Sequence, residues 1–145
     1  MKKLLVVLFL ILPGLWSCST ASVTLDNQNY SLGDIRKAIQ SKIGEPRLIS
    51  ENQRTFKSVY FSLKPDKKFD ANKSKQRAYA KVVVLGERRP YDLEITVVVE
   101  ERDSDGGYSE IGDDPAQSEQ LAQAIKNKLH QSIDDRNVID DFRAF

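Results

Sequence analysis

The chain has one cysteine, one histidine, one tryptophan and one methionine among its 145 residues. A single cysteine excludes an intramolecular disulfide. His130 and one cysteine leave the chain short of the partners that a zinc site or a nucleophilic triad needs, so His130 reads as a structural or surface residue. Glycine-rich phosphate loops are missing too, because Gly106-Gly107 opens no helix of the required kind. The paired acids Asp134-Asp135 and Asp140-Asp141 are poor acid–base partners, since neighbours on a helix point about 100° apart. Nothing in these patterns implies an enzyme, a metal or a cofactor. Charge of one sign is also lacking: 22 basic residues face 21 acidic ones, which gives no global pull toward nucleic acid or anionic lipid.

Long apolar runs are equally scarce. The longest opens the chain, nine residues from Leu4 to Leu12, behind Lys2 and Lys3 and ahead of Pro13-Gly14. A membrane-spanning helix needs about 20 apolar residues to cross a hydrocarbon core about 30 Å thick. The run is too short for that and has the anatomy of an export signal. It ends in Leu15-Trp16-Ser17-Cys18, which resembles the lipobox of bacterial lipoproteins in Leu15, Ser17 and Cys18 and departs from it at Trp16. The resemblance implies that residues 1–17 are a signal peptide and that Cys18 becomes an acylated N-terminus, with palmitate among its chains. Ser19 in the next position implies the outer membrane, facing the periplasm. Removal of the signal leaves 128 residues, enough for one domain, and takes away two lysines, which turns the formal charge from +1 to −1.

Residues 18–30 read as the lipidated N-terminus and a polar tether, within which Val23 and Leu25 alternate as in a short edge strand. The folded domain is expected over 31–145. Ser31 and Asp34 form a capping-box-like pair; Leu32, Ile35, Ile39 and Ile43 recur at helical spacing. Gly44 and Pro46 stop the helix. Strands are expected over 54–63, 77–86 and 90–101. Asp114-Pro115 opens a second helix with Leu121, Ala122, Ile125, Leu129 and Ile133 on one stripe, to about residue 132 or 134. Val138, Ile139, Phe142 and Phe145 in the tail are too apolar for a disordered end and are expected to pack back. The resulting fold class is α+β: two layers, a three-stranded antiparallel sheet with two helices on one face, in the order αβββα. Placing Val84 opposite Tyr91 puts Ala78, Ala80, Val82, Leu93, Ile95 and Val97 under the helices, and Lys81 opposite Glu94 on the other face.

Two charged stretches stand out. From Lys64 to Lys81 there are seven basic and two acidic residues, and from Glu100 to Asp114 seven acidic and one basic. The first reads as a solvated loop or as a patch for an anionic ligand. The second reads as an acidic turn, because its glycines do not fall where a calcium loop needs them. The helix-free sheet face, with Tyr60, Tyr79, Val83, Leu85 and Val98, is the candidate partner surface, since aromatic residues favour interfaces. The alternative is that loop 64–76 or the tail folds over it.

Ile43-Gly44-Glu45-Pro46 followed by a strand with Tyr60 and Phe61 is similar to small outer-membrane assembly lipoproteins of the SmpA/BamE type. The similarity covers residues 31–63 and implies a part in envelope assembly; the second helix after the sheet departs from that pattern. The expected function is therefore a non-enzymatic, lipid-anchored accessory protein for an envelope protein partner, with no nucleic acid. The alternative is a periplasmic binding module for a small or anionic ligand, using the basic region 64–81. Cys18→Ala should abolish incorporation of a palmitate analogue and leave unprocessed precursor in cell fractions. A variant that still takes up the label would sink the anchor.

Overall fold

The structure, a computed structural model, describes residues 21–64 and 69–142, with the side chains of the last helix described through Ser132. Cys18 lies outside the described residues. The elements run β1 (Val23–Gln28), α1 (Leu32–Ile43), β2 (Leu48–Ile49), β3 (Thr55–Lys57), β4 (Gln76–Leu85), β5 (Tyr91–Arg102), β6 (Tyr108–Asp113) and α2 (Pro115–Phe142). The sheet has six antiparallel strands in the order β1-β5-β4-β3-β2, with β6 also on β5. This corrects the three-stranded αβββα expectation, while the α+β class fits.

The three additional strands carry weak patterns. The alternating Val23 and Leu25 of β1 face the core as they pair with Ile95 and Leu93, inside the stretch read as tether. The two residues of β2 are both exposed. In β6, Tyr-Ser-Glu-Ile-Gly-Asp is polar enough to pass for a solvated turn. It is a strand because β1 covers only the first part of β5's outer edge, and the remaining backbone groups of that edge need partners. Within the expected 54–63 strand, regular pairing stops after Lys57. Ser58 bridges the break: its backbone N–H donates to the Ala80 carbonyl and its Oγ accepts from the Ala80 N–H, each at 2.9 Å. Pairing returns at Phe61, opposite Ala78.

Val84 pairs with Leu93, not Tyr91, and Lys81 with Thr96, not Glu94. The β4–β5 connection is longer than a tight hairpin, and the Arg54 guanidinium donates to the Gly86 and Glu87 carbonyls there. The displacement is two residues, the period of a strand, so every side chain keeps its face.

Both helices cover one face. Ile35, Ala38, Ile39 and Ile43 of α1 and Ala122, Ile125 and Leu129 of α2 join Phe56, Ala78, Ala80, Val82, Val84, Leu93, Ile95 and Val97 in one core. Full burial of a residue the size of Ile or Leu contributes about 1.5–3 kcal/mol. Both helices begin as their caps dictate. Ser31 Oγ accepts from the Asp34 N–H at 3.1 Å, and Asp114 Oδ1 accepts from the Gln117 N–H at 3.0 Å. Gly44 ends α1 at φ +73°, a conformation that costs glycine little. Helix α2 continues to Phe142, about 42 Å at 1.5 Å per residue, past the expected end. The side chains of Ile133, Val138, Ile139, Phe142 and Phe145 lie outside the described residues.

The start of α2 is bonded to the sheet at one point. Ser118, fully buried, accepts from the Val97 N–H at 2.8 Å and donates to the Asp114 carbonyl at 2.7 Å. The Asp114 N–H donates to the Val97 carbonyl at 2.8 Å. Both polar groups of Val97 are thus satisfied by a helix terminus, not a strand. Ser118→Ala should orphan the buried Val97 amide and lower stability by about 1–3 kcal/mol, read as a lower urea midpoint at unchanged slope. Ser104→Ala, in an exposed turn, should stay within about 0.5 kcal/mol of wild type. An unchanged midpoint for Ser118→Ala would show that the amide has another acceptor.

Candidate partner-binding face

Strand alternation sends Arg77, Tyr79, Lys81, Val83 and Leu85 of β4 away from the helices. Their cross-strand partners on β5, Glu100, Val98, Thr96, Glu94 and Asp92, share that face. Lys57 of β3 stands opposite Lys81, and Glu110 of β6 opposite Glu100. All five candidate surface residues are therefore on or over the helix-free face, but they are not one bare apolar patch. Tyr79 and Val98 are buried, 2% and 6% exposed, whereas Leu85 is 42% exposed. Tyr60 and Val83 are half-buried. The Tyr60 ring meets the Tyr79 ring edge-on at 5.9 Å and, with long cationic side chains, covers it.

The covering cluster is built around Arg77. Its guanidinium lies 3.6 Å from the centre of the Tyr60 ring and 3.5 Å from that of Tyr108. Its Nε donates to Glu100 Oε2 at 2.6 Å, and one terminal nitrogen donates to the Ala71 carbonyl at 3.0 Å. The two side chains are 11% and 12% exposed, so water screens the pair little. A cation over an aromatic ring contributes about 0.5–2 kcal/mol depending on desolvation, and here one cation serves two rings. Arg77 thereby ties β4 to β5, to β6 through Tyr108, to the segment carrying Tyr60, and to the loop at Ala71. Tyr108 adds a bond of its own to that loop, its hydroxyl donating to the Ser74 carbonyl at 2.7 Å.

Tyr79 is held by the same cluster. Its hydroxyl donates to Glu110 Oε1 at 2.7 Å. Burial raises its pKa well above the ordinary phenol value, and the hydrogen bond to Glu110 and the charges of Glu110 and Glu100 raise it further. Above the ring, Arg47 and Lys57 place their charges 5.3 Å and 5.2 Å from its centre, and Arg47 also lies 4.4 Å from the centre of Tyr60. Neither Arg47 nor Lys57 was singled out by the sequence. Arg47 sits just past a helix end, and Lys57 alternates on a strand like any solvent-facing residue.

The face is electrically divided. Arg47, Lys57 and Lys81 occupy the β2–β3–β4 side, and Asp92, Glu94, Glu100 and Glu110 the β5–β6 side. The basic region 64–81 is less positive than its sequence. Lys73 pairs with Asp70 at 3.7 Å, Lys75 with Glu101 at 3.6 Å, and Arg77 with Glu100. In the acidic stretch, both oxygens of Asp103 accept from Ser109 Oγ, at 2.5 and 2.6 Å. Among the described residues no group of three or more His, Cys, Asp or Glu could hold a metal ion, and no helix is long and apolar enough to cross a membrane. His130 is exposed on α2, its ring 6.4 Å from that of Tyr30. On the helix side, a groove of about 400 Å³ runs between the C-terminal end of α1 and the first turns of α2, with Ile43, Phe61, Ala80, Val97 and Leu121 among its lining residues.

No protein-family model matches the chain, and no curated protein matches it.

The raised pKa of Tyr79 fixes a pH dependence. In the folded chain the phenol stays protonated at a pH where the unfolded chain ionises it, near 10. Its contribution is therefore complete below about pH 10 and is lost as pH rises beyond that. Tyr79→Phe keeps the ring, forfeits about 1 kcal/mol from the hydrogen bond at neutral pH, and should lose less stability than wild type between pH 9 and 11, about the range of the unfolded phenol. Parallel wild-type and variant curves from urea unfolding would refute the assignment.

Proposed function

We propose that this chain is a non-enzymatic accessory lipoprotein of a bacterial envelope. It is anchored by acyl chains on Cys18 at the outer membrane, faces the periplasm, and binds an envelope partner across its helix-free sheet face. The observation that carries the reading is the position of Cys18. It is the only cysteine, it follows an apolar run too short to span a bilayer, and it precedes the first residue of β1 by five positions. Five residues extend at most about 18 Å, so the anchor would hold the domain against the bilayer. One acyl chain binds a membrane only marginally, whereas more than one makes attachment stable. The similarity of residues 31–63 to assembly lipoproteins supports an envelope partner. The half-buried Val83 and exposed Leu85, beside the cationic and acidic halves of the same face, supply the mix of apolar and charged contact that interfaces use.

A second reading, a periplasmic binding module for a small or anionic ligand, is favoured by one observation. Among the described residues Arg47, Lys57 and Lys81 form no ion pair.

A photo-crosslinking residue at Val83 should give a discrete adduct with an envelope protein in intact cells, and the same residue at the exposed Gln123 of α2 should give none. Equal adducts at both positions, or none at Val83, would defeat the partner-face reading. Acylation of Cys18 is a separate measurement.

A further inference from the structure

Lys57 and Lys81 stand directly opposite each other in the β3–β4 ladder, on the helix-free face. Like charges in that position are destabilising, because their Cβ atoms are about 4.5–5.5 Å apart. Arg47 brings a third positive charge to the same corner, over the Tyr79 ring that Lys57 also approaches. Among the described residues no carboxylate forms an ion pair with Arg47, Lys57 or Lys81. Glu100 is bonded to Arg77, and Glu110 accepts from the Tyr79 hydroxyl. Lys57 and Lys81 are half-buried and Arg47 is exposed, so stems pack while charged ends remain open to solvent.

We propose that Arg47, Lys57 and Lys81 form a binding site for a phosphate group. A phosphate offers several oxygens and up to two negative charges to three neighbouring cations. The planar fork of Arg suits two of its oxygens, and each Lys adds a point charge. The rings of Tyr60 and Tyr79 hold Arg47 and Lys57 through cation–π contact, which reduces the freedom these side chains lose on binding. Bound phosphate turns the Lys57–Lys81 repulsion into shared attraction. The site rests on the anionic-ligand reading and is independent of the lipid anchor. It also relocates that reading, since Lys73, Lys75 and Arg77 of the basic region are paired with carboxylates whereas Lys81 is not.

The full-length chain in a maltoside detergent would be titrated with inorganic phosphate, with dihexanoyl phosphatidylglycerol as a headgroup probe, and with polyglutamate as a carboxylate polymer. Phosphate or the headgroup should bind at low salt with a dissociation constant of about 1 mM or tighter. Lys57→Gln with Lys81→Gln should weaken that binding about tenfold or more, and Lys73→Gln with Lys75→Gln should change it less than about twofold. Binding of inorganic phosphate alone identifies a soluble phosphate, and binding of the headgroup alone identifies a lipid; either supports the site. Binding of polyglutamate but of neither phosphate probe would overturn the phosphate assignment and leave the anionic-ligand reading standing. An equal loss in the Lys73/Lys75 variant would also overturn it. Lys81→Gln alone removes the like-charge pair and leaves the Lys57–Tyr79 contact in place, so its thermal midpoint should equal or exceed that of wild type; a lower midpoint would refute the repulsion from which the site is inferred.

Discussion

The outer edge of β5 is the constraint on which the rest of the architecture depends. Strand β4 satisfies its inner edge from Asp92 to Glu101. The outer edge is twelve residues long and no single neighbour covers it. Strand β1 takes the stretch from Tyr91 to Ile95, the start of α2 takes Val97, and β6 takes Val98 to Arg102. A buried backbone group without a partner costs as much as a lost hydrogen bond, so each of these three segments is held where the unpaired groups are. This places the N-terminal strand in the domain and brings the polar β6 into the sheet. It also fixes where α2 begins its course over the core.

The same arrangement creates the helix-free face. With β6 alongside β5, Glu110 reaches the Tyr79 hydroxyl and Tyr108 reaches Arg77. Arg77, between two rings and against Glu100, neutralises one carboxylate and pins four separate segments. Arg47, Lys57 and Lys81 on this face form no ion pair among the described residues. An apolar partner surface would have left Tyr79 and Val98 open. Instead, side chains from β6, from the segment after β3 and from the α1–β2 connection close over the Tyr79 ring, and the face is charged at its two sides, with Leu48, Val83 and Leu85 among its apolar residues.

Charge along a sequence and charge on a surface differ here for a physical reason. The stretch 64–81 looks basic because its acidic partners are remote in the chain: Glu100 and Glu101 lie more than twenty residues from Arg77 and Lys75. The cross-strand register of β4 with β5 brings Arg77 against Glu100 and Lys75 beside Glu101. Lys57 and Arg47 look unremarkable because they belong to no run of like charge, yet the β3–β4 register sets Lys57 against Lys81.

The sequence by itself determined what depends on local spacing. Both helix starts follow from their caps, Ser31 with Asp34 and Asp114 with Pro115. The helical stripes of Ile35, Ile39, Ile125 and Leu129 follow from 3.6-residue periodicity, and the two faces of β4 and β5 from alternation. Those faces survive even where the register differs by two residues, because a strand repeats every two. The tertiary structure alone decided the number of strands, since β2 is only two residues long and β6 is too polar to announce itself and is held by the open edge of β5. It alone decided the registers, which depend on the length of the connection held by Arg54. It also decided which cations stay unpaired, because an ion pair needs two side chains in contact, and contact between distant residues is a property of the fold.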